Sequence, residues 1–161
     1  GSLKLPTFLD DNMVFQRAPQ QANIWGWAVA ESTITVALNG KTLGTTKTEN
    51  DGTWLFALPA QEVMTNAKIE ISGSGGALTL NNIAFGDVFL CSGQSNMQFS
   101  VNGAFNASEE IADSANYPNL RLATAAMVTA NTPQQDVPDK ASGGPYSASS
   151  WAVSSPAAFV P

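Results

Sequence analysis

The sequence predicts an Ig-like or jelly-roll-like β-sandwich over residues 1–81, followed over residues 82–161 by the beginning of a parallel-sheet α/β domain. Before position 81, short alternating segments recur at spacings of roughly ten residues and are separated by Gly and Asn turns. After it, an apolar run, a polar loop, a helical segment and another apolar run follow one another. The α/β domain is expected to be incomplete, because such a sheet normally has four or more strands.

Alternating side chains define the strands of the first part. Ile34, Val36 and Leu38 share one face of a strand at period two. The dipeptide Asn39-Gly40 follows, and it favours a tight hairpin because both residues tolerate positive φ. Further strands are expected within the ranges 9–15, 22–29, 41–48, 53–58, 68–72 and 77–80.

Two groups of residues in this part have a functional and a structural interpretation. Trp25, Trp27 and Trp54 suit stacking on the pyranose rings of a sugar. They also suit the sandwich core, and we expect at least two of them to lie there. Asp10-Asp11 is either a pair of catalytic carboxylates or, as we favour, a solvated turn before a strand.

The second part is organised around residues 83–98. The apolar run 83–90 predicts a buried parallel strand, and Ser95 would follow it at the carboxyl edge of the sheet, where α/β proteins bind ligands. Gly93 would allow a sharp turn, since it has no Cβ. The pattern suits a serine nucleophile, although most Ser-rich loops after a strand have no catalytic role.

A helix and a second strand are expected next. Ser108 is the candidate N-cap, and Glu109 and Glu110 would lie in the first turn, where the helix dipole favours acidic side chains. The range 120–125 would then form a strand parallel to the first, in a right-handed βαβ crossover. The range 129–150, rich in Pro, Gly, Ser and Ala, predicts a long surface excursion that carries Trp151 at one end.

Composition narrows the classes of function. Seven basic and thirteen acidic residues give a formal net charge of −6, so nucleic acid is not an expected partner. No apolar stretch approaches the roughly 20 residues of a transmembrane helix. The chain has no histidine and one cysteine, Cys91, which excludes a Ser-His-Asp triad and thiolate-rich metal sites within it. No cofactor or metal is expected, and Cys91 is interpreted as a small apolar residue at a strand end.

Several short segments of the sequence follow one another in a characteristic order. They are Leu5-Pro6, Met13–Arg17, Ile24–Ala28, Asp51–Trp54, Leu58–Ala60, the block Gly86–Met97, and Tyr117–Arg121. In this order they resemble the N-terminal portion of the sialate O-acetylesterases, a family of SGNH-type carbohydrate esterases. The block is the most specific of these segments, and the shorter ones gain weight from their order.

The resemblance implies a serine esterase that removes O-acetyl groups from sialic acids or related acetylated sugars. It assigns Ser95 as the nucleophile and as an oxyanion donor through its backbone N–H, with Gly93, Gln94 and Asn96 as the supporting loop. The family's Asp-x-x-His and its further oxyanion donors have no counterpart in this chain. We therefore expect the chain alone to be inactive and a second chain or a C-terminal segment to complete the site.

A non-catalytic alternative stays open: a β-sandwich module, derived from this family, that binds carbohydrate or assembles with another chain. An unfinished parallel sheet would leave open edges and uncovered apolar faces for such an association. The triplet Asn106-Ala107-Ser108 is a candidate N-glycosylation site. With the resemblance, it favours a secreted, lysosomal or periplasmic protein.

Overall fold

The computed structural model describes residues 1–126, 129–137 and 150–159, and in these ranges it consists mainly of β-strands with few helices. The β-rich character predicted for the first part of the chain is therefore confirmed. Residues 138–149 of the expected surface excursion lie outside the described residues. No helix in the described ranges is long and apolar enough to cross a bilayer. The elements are β1 (Val14–Gln16), β2 (Asn23–Trp27), β3 (Thr33–Leu38), β4 (Lys41–Lys47), β5 (Thr53–Ala57), β6 (Met64–Gly73), β7 (Gly76–Gly86), α1 (Ala107–Asp113), β8 (Arg121–Leu122), β9 (Ala152–Val153) and α2 (Pro156–Phe159).

Strands β1 to β7 form two sheets. One has the order β1-β7-β6-β3-β4, and the other pairs β2 with β5. Strand β1 runs parallel to β7, whereas the other pairs in these sheets are antiparallel. Register shifts between Val36 and Ala37 in β3, and between Met64 and Ile69 in β6, interrupt the ladders. Such bulges increase the local twist, which curls the larger sheet.

The hydrophobic core is built from side chains of both sheets. Ile24 of β2, Ile34 of β3 and Ile83 of β7 have no solvent-exposed surface, and Phe15 stacks on Phe85 with ring centroids 5.8 Å apart. Burial of each such side chain contributes about 1.5–3 kcal/mol to folding. The alternating pattern identified these inward faces correctly, since period-two spacing places them on the same side of a strand.

The turns between the strands also follow the sequence signals. Asn39 and Gly40, between β3 and β4, have φ angles of 49° and 79°, which confirms the predicted hairpin turn. Gly52 has φ 85°, and a Cβ at this position would lie 2.7 Å from Ala28 O. Only glycine fits both the backbone angle and the close approach.

The prediction of a buried strand over 83–90 is wrong beyond Gly86. Strand β7 contains both the predicted strand 77–80 and the start of this run, and it ends at Gly86. The proposed domain boundary between residues 81 and 82 therefore falls within β7. Val88, Phe89 and Leu90 are 44%, 83% and 92% exposed. Strand β7 has neighbours in β1 and β6, whereas residues 87–90 pair with no other strand in the described ranges.

The parallel βαβ unit is also not formed. Strand β8 covers only part of the predicted strand 120–125, and it pairs with β9 in antiparallel orientation. Helix α1 lies where it was predicted, with Glu109 and Glu110 in its first turn. The assignment of Ser108 as N-cap is wrong, because the amides of Glu109 and Glu110 donate to Asn106 O at 3.0 and 3.1 Å and the helix begins after Asn106.

Candidate active site

The segment that carries the candidate nucleophile leaves the sheet at the end of β7 and is held there by β1. Arg17 Nε lies 2.9 Å from Asp87 Oδ1, and the Arg17 amide donates to Gly86 O at 3.0 Å. The Val88 amide donates to the side-chain Oε1 of Gln16 at 3.2 Å. The first two residues after β7 are therefore bound to the end of β1.

The Arg17–Asp87 pair is an exposed ion pair. The pKa of Arg17 is raised because Asp87 accepts a hydrogen bond from its guanidinium and because the two charges attract. The side chains are 41% and 55% exposed, so water and salt screen the attraction. We expect the pair to orient the segment more than it stabilises the fold.

Ser95 lies in a turn closed by the backbone. The Met97 amide donates to Gln94 O at 2.8 Å, and the Gln98 amide donates to Ser95 O at 3.2 Å. Gly93 enters the turn with φ 157°, and a Cβ at this position would lie only 2.6 Å from Met97 Cγ. The missing Cβ of Gly93 thus makes room for the Met97 side chain, which packs against the turn.

The Ser95 side chain lies open to solvent. Ser95 is exposed, and in the part of the chain that the structure describes neither its hydroxyl nor its amide makes a hydrogen bond. The side chains of Gln94 and Asn96 are exposed as well, and they too make no hydrogen bond within the described residues. An exposed hydroxyl beside an unused N–H donor suits attack on an ester carbonyl and binding of the resulting oxyanion.

The site holds no general base of the usual kind, because the chain contains no histidine. Among the described residues, no group of three or more His, Cys, Asp and Glu side chains could hold a metal ion. Cys91 is exposed, so its interpretation as an apolar residue at a strand end is wrong, since β7 has already ended at Gly86.

Asp10 and Asp11 lie in the turn before β1, as favoured from the sequence. Asp10 Oδ1 accepts the Asp11 amide at 2.8 Å, and Asp11 Oδ1 accepts the Asn81 amide at 2.6 Å. Their oxygens bind backbone amides, which is a structural role. The other candidate position, Asn106, is exposed with φ 57°, and its side chain makes no capping hydrogen bond. Its modification stays a prediction.

The three tryptophans separate into different environments. Trp54 is 3% exposed within the core. Trp25 is half-buried, packs against the core and donates its indole N–H to Gln135 O at 3.0 Å. The structural interpretation is therefore confirmed for two of the three. Trp27 is half-buried and lines an open groove.

Two contacts that join the later segments to the first part of the chain were not predictable from the sequence. Asp136 Oδ1 accepts the Thr7 amide at 2.9 Å, and the Trp151 indole donates to Phe8 O at 3.0 Å. The Phe8 and Trp151 rings lie 5.2 Å apart. These partners are 129 and 143 positions apart, so no local pattern connects them.

Arg121 is a further residue that the sequence did not single out. Its Nη2 donates to Asn82 Oδ1 at 3.3 Å, while its Nε and Nη1 are buried and have no hydrogen-bond partner among the described residues. Burial lowers the pKa of Arg121, since a buried cation loses hydration. The segment after α1 is thus joined to β7 through a guanidinium with unsatisfied donors.

The fold resembles that of a carbohydrate acetylesterase. A crystal structure of XAC1771, a novel carbohydrate acetylesterase from Xanthomonas citri, matches with a TM-score of 0.84 and 29% sequence identity. The match covers 98% of this chain and 34% of that chain.

The sequence relatives are sialate O-acetylesterases. That of Rattus norvegicus is 34% identical over 145 residues, that of Mus musculus 32% over 143, and that of Homo sapiens 32% over 146. Each match covers 83% of this chain but only 26% or 27% of the relative. No protein-family model matches the chain. The chain is a homologue of the sialate O-acetylesterases, as its ordered segments predicted, and it spans about a quarter of the length of these curated relatives.

Proposed function

We propose that this chain is the N-terminal part of a serine esterase that hydrolyses O-acetyl esters on sugars such as sialic acids. Ser95 is the nucleophile in this proposal. The observation that carries it is an exposed Ser95, whose hydroxyl and amide make no hydrogen bond within the described residues, in the block Gly86–Met97 of a chain that is 34% identical to a sialate O-acetylesterase. Gly93, Gln94 and Asn96 form the supporting loop.

The reaction follows from the chemistry of this group. Ser95 Oγ attacks the acetyl carbonyl while its proton passes to a base, and the oxyanion accepts a hydrogen bond from the Ser95 amide. The C–O bond to the sugar then breaks, and the sugar oxygen takes the proton from the base. Water, deprotonated by the same base, hydrolyses the acetyl-serine to acetate and restores the hydroxyl.

The base must come from outside these residues, because the chain has no histidine. In the proposal, residues 1–81 are a β-sandwich domain and residues 82–161 are the first part of an SGNH-type α/β domain. A C-terminal segment or a second chain supplies the base, the remaining oxyanion donors and the missing strands. The exposure of Phe89 and Leu90, at 83% and 92%, supports this, because a neighbouring strand or helix would cover them.

The same exposed residues favour a second candidate function. A β-sandwich module that binds carbohydrate or assembles with a partner would also present apolar side chains for association. Catalysis is the discriminating property, since such a module needs no reactive serine.

A fluorophosphonate probe tests the nucleophile. In the longer protein or the two-chain complex, the probe labels Ser95, and Ser95→Ala lowers both labelling and acetate release by at least about 10³-fold. Ser92→Ala, in the same exposed loop, is the matched control and retains both. Labelling that survives Ser95→Ala contradicts the proposal, and so does acetate release by the 161-residue chain alone.

The proposal includes a secreted, lysosomal or periplasmic location and, in hosts that attach N-glycans, modification of Asn106. The exposed side chain of Asn106, which makes no capping hydrogen bond, supports its accessibility. Intact mass before and after enzymatic deglycosylation tests it, with Asn106→Gln as the control. An unchanged mass for protein secreted by such a host contradicts the assignment.

A further inference from the structure

A groove of about 630 Å³ lies beside the end of β2. It is lined by Trp27, at the end of β2, and by residues 132–137. None of residues 91–98 is among these lining residues. The proposed esterase reaction therefore gives this groove no role.

The walls of the groove are held by hydrogen bonds. Both carboxylate oxygens of Asp136 lie 2.9 Å from the Thr7 amide, and Thr7 Oγ1 donates to Asp136 Oδ1 at 2.9 Å. The Trp25 indole fixes the neighbouring carbonyl of Gln135 at 3.0 Å. These contacts preform the site, which lowers the ordering cost of binding.

Trp27 is fixed on the opposite wall. Its amide donates to Lys4 O at 3.0 Å, and its carbonyl accepts the Lys4 amide at 2.8 Å. Its partner in β5 is Thr53. The backbone of Trp27 is therefore held on both sides, and its half-buried side chain lines the groove.

Besides the apolar Pro133 and Val137, the remaining described lining residues are polar, and none of them is a lysine or arginine. Thr132, Gln134 and Gln135 are exposed, and they offer hydroxyl and amide groups. Gln134 Nε2 donates to Thr132 O at 2.8 Å, which orients this amide and leaves its carbonyl oxygen for a ligand. Asp136 is the charged group of the lining, and Thr7 occupies its oxygens.

We propose that the groove beside Trp27 binds a neutral pyranose chain, as a non-catalytic sugar site separate from the Ser95 loop. The C–H face of a pyranose packs on the indole ring, and its hydroxyls bond to the amides opposite. An acidic sugar is disfavoured, since Asp136 is the one charged side chain among the described residues that line the groove. This inference does not depend on esterase activity.

Titration with neutral hexasaccharides tests the site, with tryptophan fluorescence and calorimetry as the readouts. Cellohexaose, mannohexaose and chitohexaose are the probes, and sialyllactose is the acidic comparison. We expect at least one neutral probe to bind more tightly than sialyllactose. Trp27→Ala weakens this binding about ten-fold or more, and Trp27→Phe retains part of it.

Variants that cannot impair folding complete the test. Gln134→Ala and Gln135→Ala change exposed side chains in the groove, and each is expected to weaken binding. Leu55→Ala, an exposed residue of β5 that does not line the groove, leaves binding unchanged. Absence of binding by any neutral probe at millimolar concentration overturns the proposal. Equal binding by Trp27→Ala and both glutamine variants, or tighter binding of sialyllactose, also overturns it. None of these outcomes decides whether Ser95 is a nucleophile.

Discussion

Arg17 binds Asp87 at the point where the Ser95 segment leaves the sheet, with Nε 2.9 Å from Oδ1 and Nη2 3.4 Å from Oδ2. The two residues follow the ends of β1 and β7, the parallel pair of the larger sheet. Both strands point the same way, so the pair joins two chain segments as they leave the sheet together. The direction of the segment towards Ser95 is therefore set partly by the first part of the chain.

Removal of the Arg17–Asp87 pair is expected to loosen this segment without unfolding the protein. Arg17→Gln increases the hydrogen-exchange rate of the Val88 amide and lowers Tm slightly, because the pair is exposed and screened. Asp87→Asn has the same effect, and the double variant is no worse than either single one. In 1 M salt the differences disappear, since the Debye length falls to about 3 Å.

The exposed pair Lys68–Glu70 provides the control, with Nζ 2.7 Å from Oε1. Lys68→Gln removes a comparable ion pair within β6 and leaves exchange at Val88 unchanged. Equal exchange at Val88 in the wild type and in Arg17→Gln would show that the pair does not hold the segment.

The first part of the fold was predictable because its signals are local. Ile34, Val36 and Leu38 alternate at period two, and the Asn39-Gly40 turn fixes the next strand through its backbone angles. Strand β7 shows where local signals stop. The run 83–90 is mostly apolar, yet only its first residues have neighbouring strands. The local sequence does not indicate where those neighbouring strands end.

Only part of the candidate site was predictable from the sequence. The block around Ser95 identified the loop by resemblance, and Gly93 was recognised as a turn residue from its chemistry. The environment of the loop was not predictable, because it depends on distant partners such as Arg17 for Asp87. Contacts over such separations are determined by the packed fold and leave no periodic pattern in the chain.

Asp51 is expected to make the stability of the β5 turn dependent on pH. Its pKa is lowered because Thr53 donates to Asp51 Oδ1 from its hydroxyl, at 2.7 Å, and from its amide, at 2.9 Å. The folded-state pKa of Asp51 is then below the unfolded value of about 3.9. The contribution of Asp51 to the free energy of unfolding is therefore fully present above the unfolded value and is lost as the pH falls through the folded-state pKa. Urea unfolding of wild type and Asp51→Ala should show a difference at pH 7 that shrinks towards pH 2.

Asp51→Asn is the matched control for this turn. It keeps an oxygen acceptor for the Thr53 donors but cannot titrate, so its stability should depend less on acid than that of the wild type. A difference between wild type and Asp51→Ala that stays constant from pH 7 to pH 2 contradicts the assignment.

Gly93→Ala is expected to disturb the reactive turn while leaving the fold intact. Its Cβ would lie 2.6 Å from Met97 Cγ, so the Met97 side chain or the backbone before Ser95 must move. A shift of about 1 Å at a nucleophile costs on the order of 10²-fold in rate. The rate of fluorophosphonate labelling in the longer protein or the two-chain complex should fall by this factor, with little change in Tm.

Two further variants separate local strain from crowding. Gly93→Ala combined with Met97→Ala removes the clashing atom and should restore part of the labelling rate. Gly40→Ala introduces alanine at φ 79° in a distant turn with open space around it, and should leave labelling unchanged. Normal labelling of Gly93→Ala would show that the turn does not require glycine.

Arg121→Met is expected to stabilise the 161-residue chain. Arg121 has one hydrogen bond, from Nη2 to Asn82, while its buried Nε and Nη1 have no partner and have lost their hydration. Methionine keeps most of the packing volume and removes these donors, so the free energy of unfolding should rise by about 1 kcal/mol. Arg121→Ala removes the same donors together with the packing, and should lower it instead. Urea unfolding measures both, and a lower stability for Arg121→Met than for the wild type would show that the guanidinium contributes more through its bond to Asn82 than its unsatisfied donors cost.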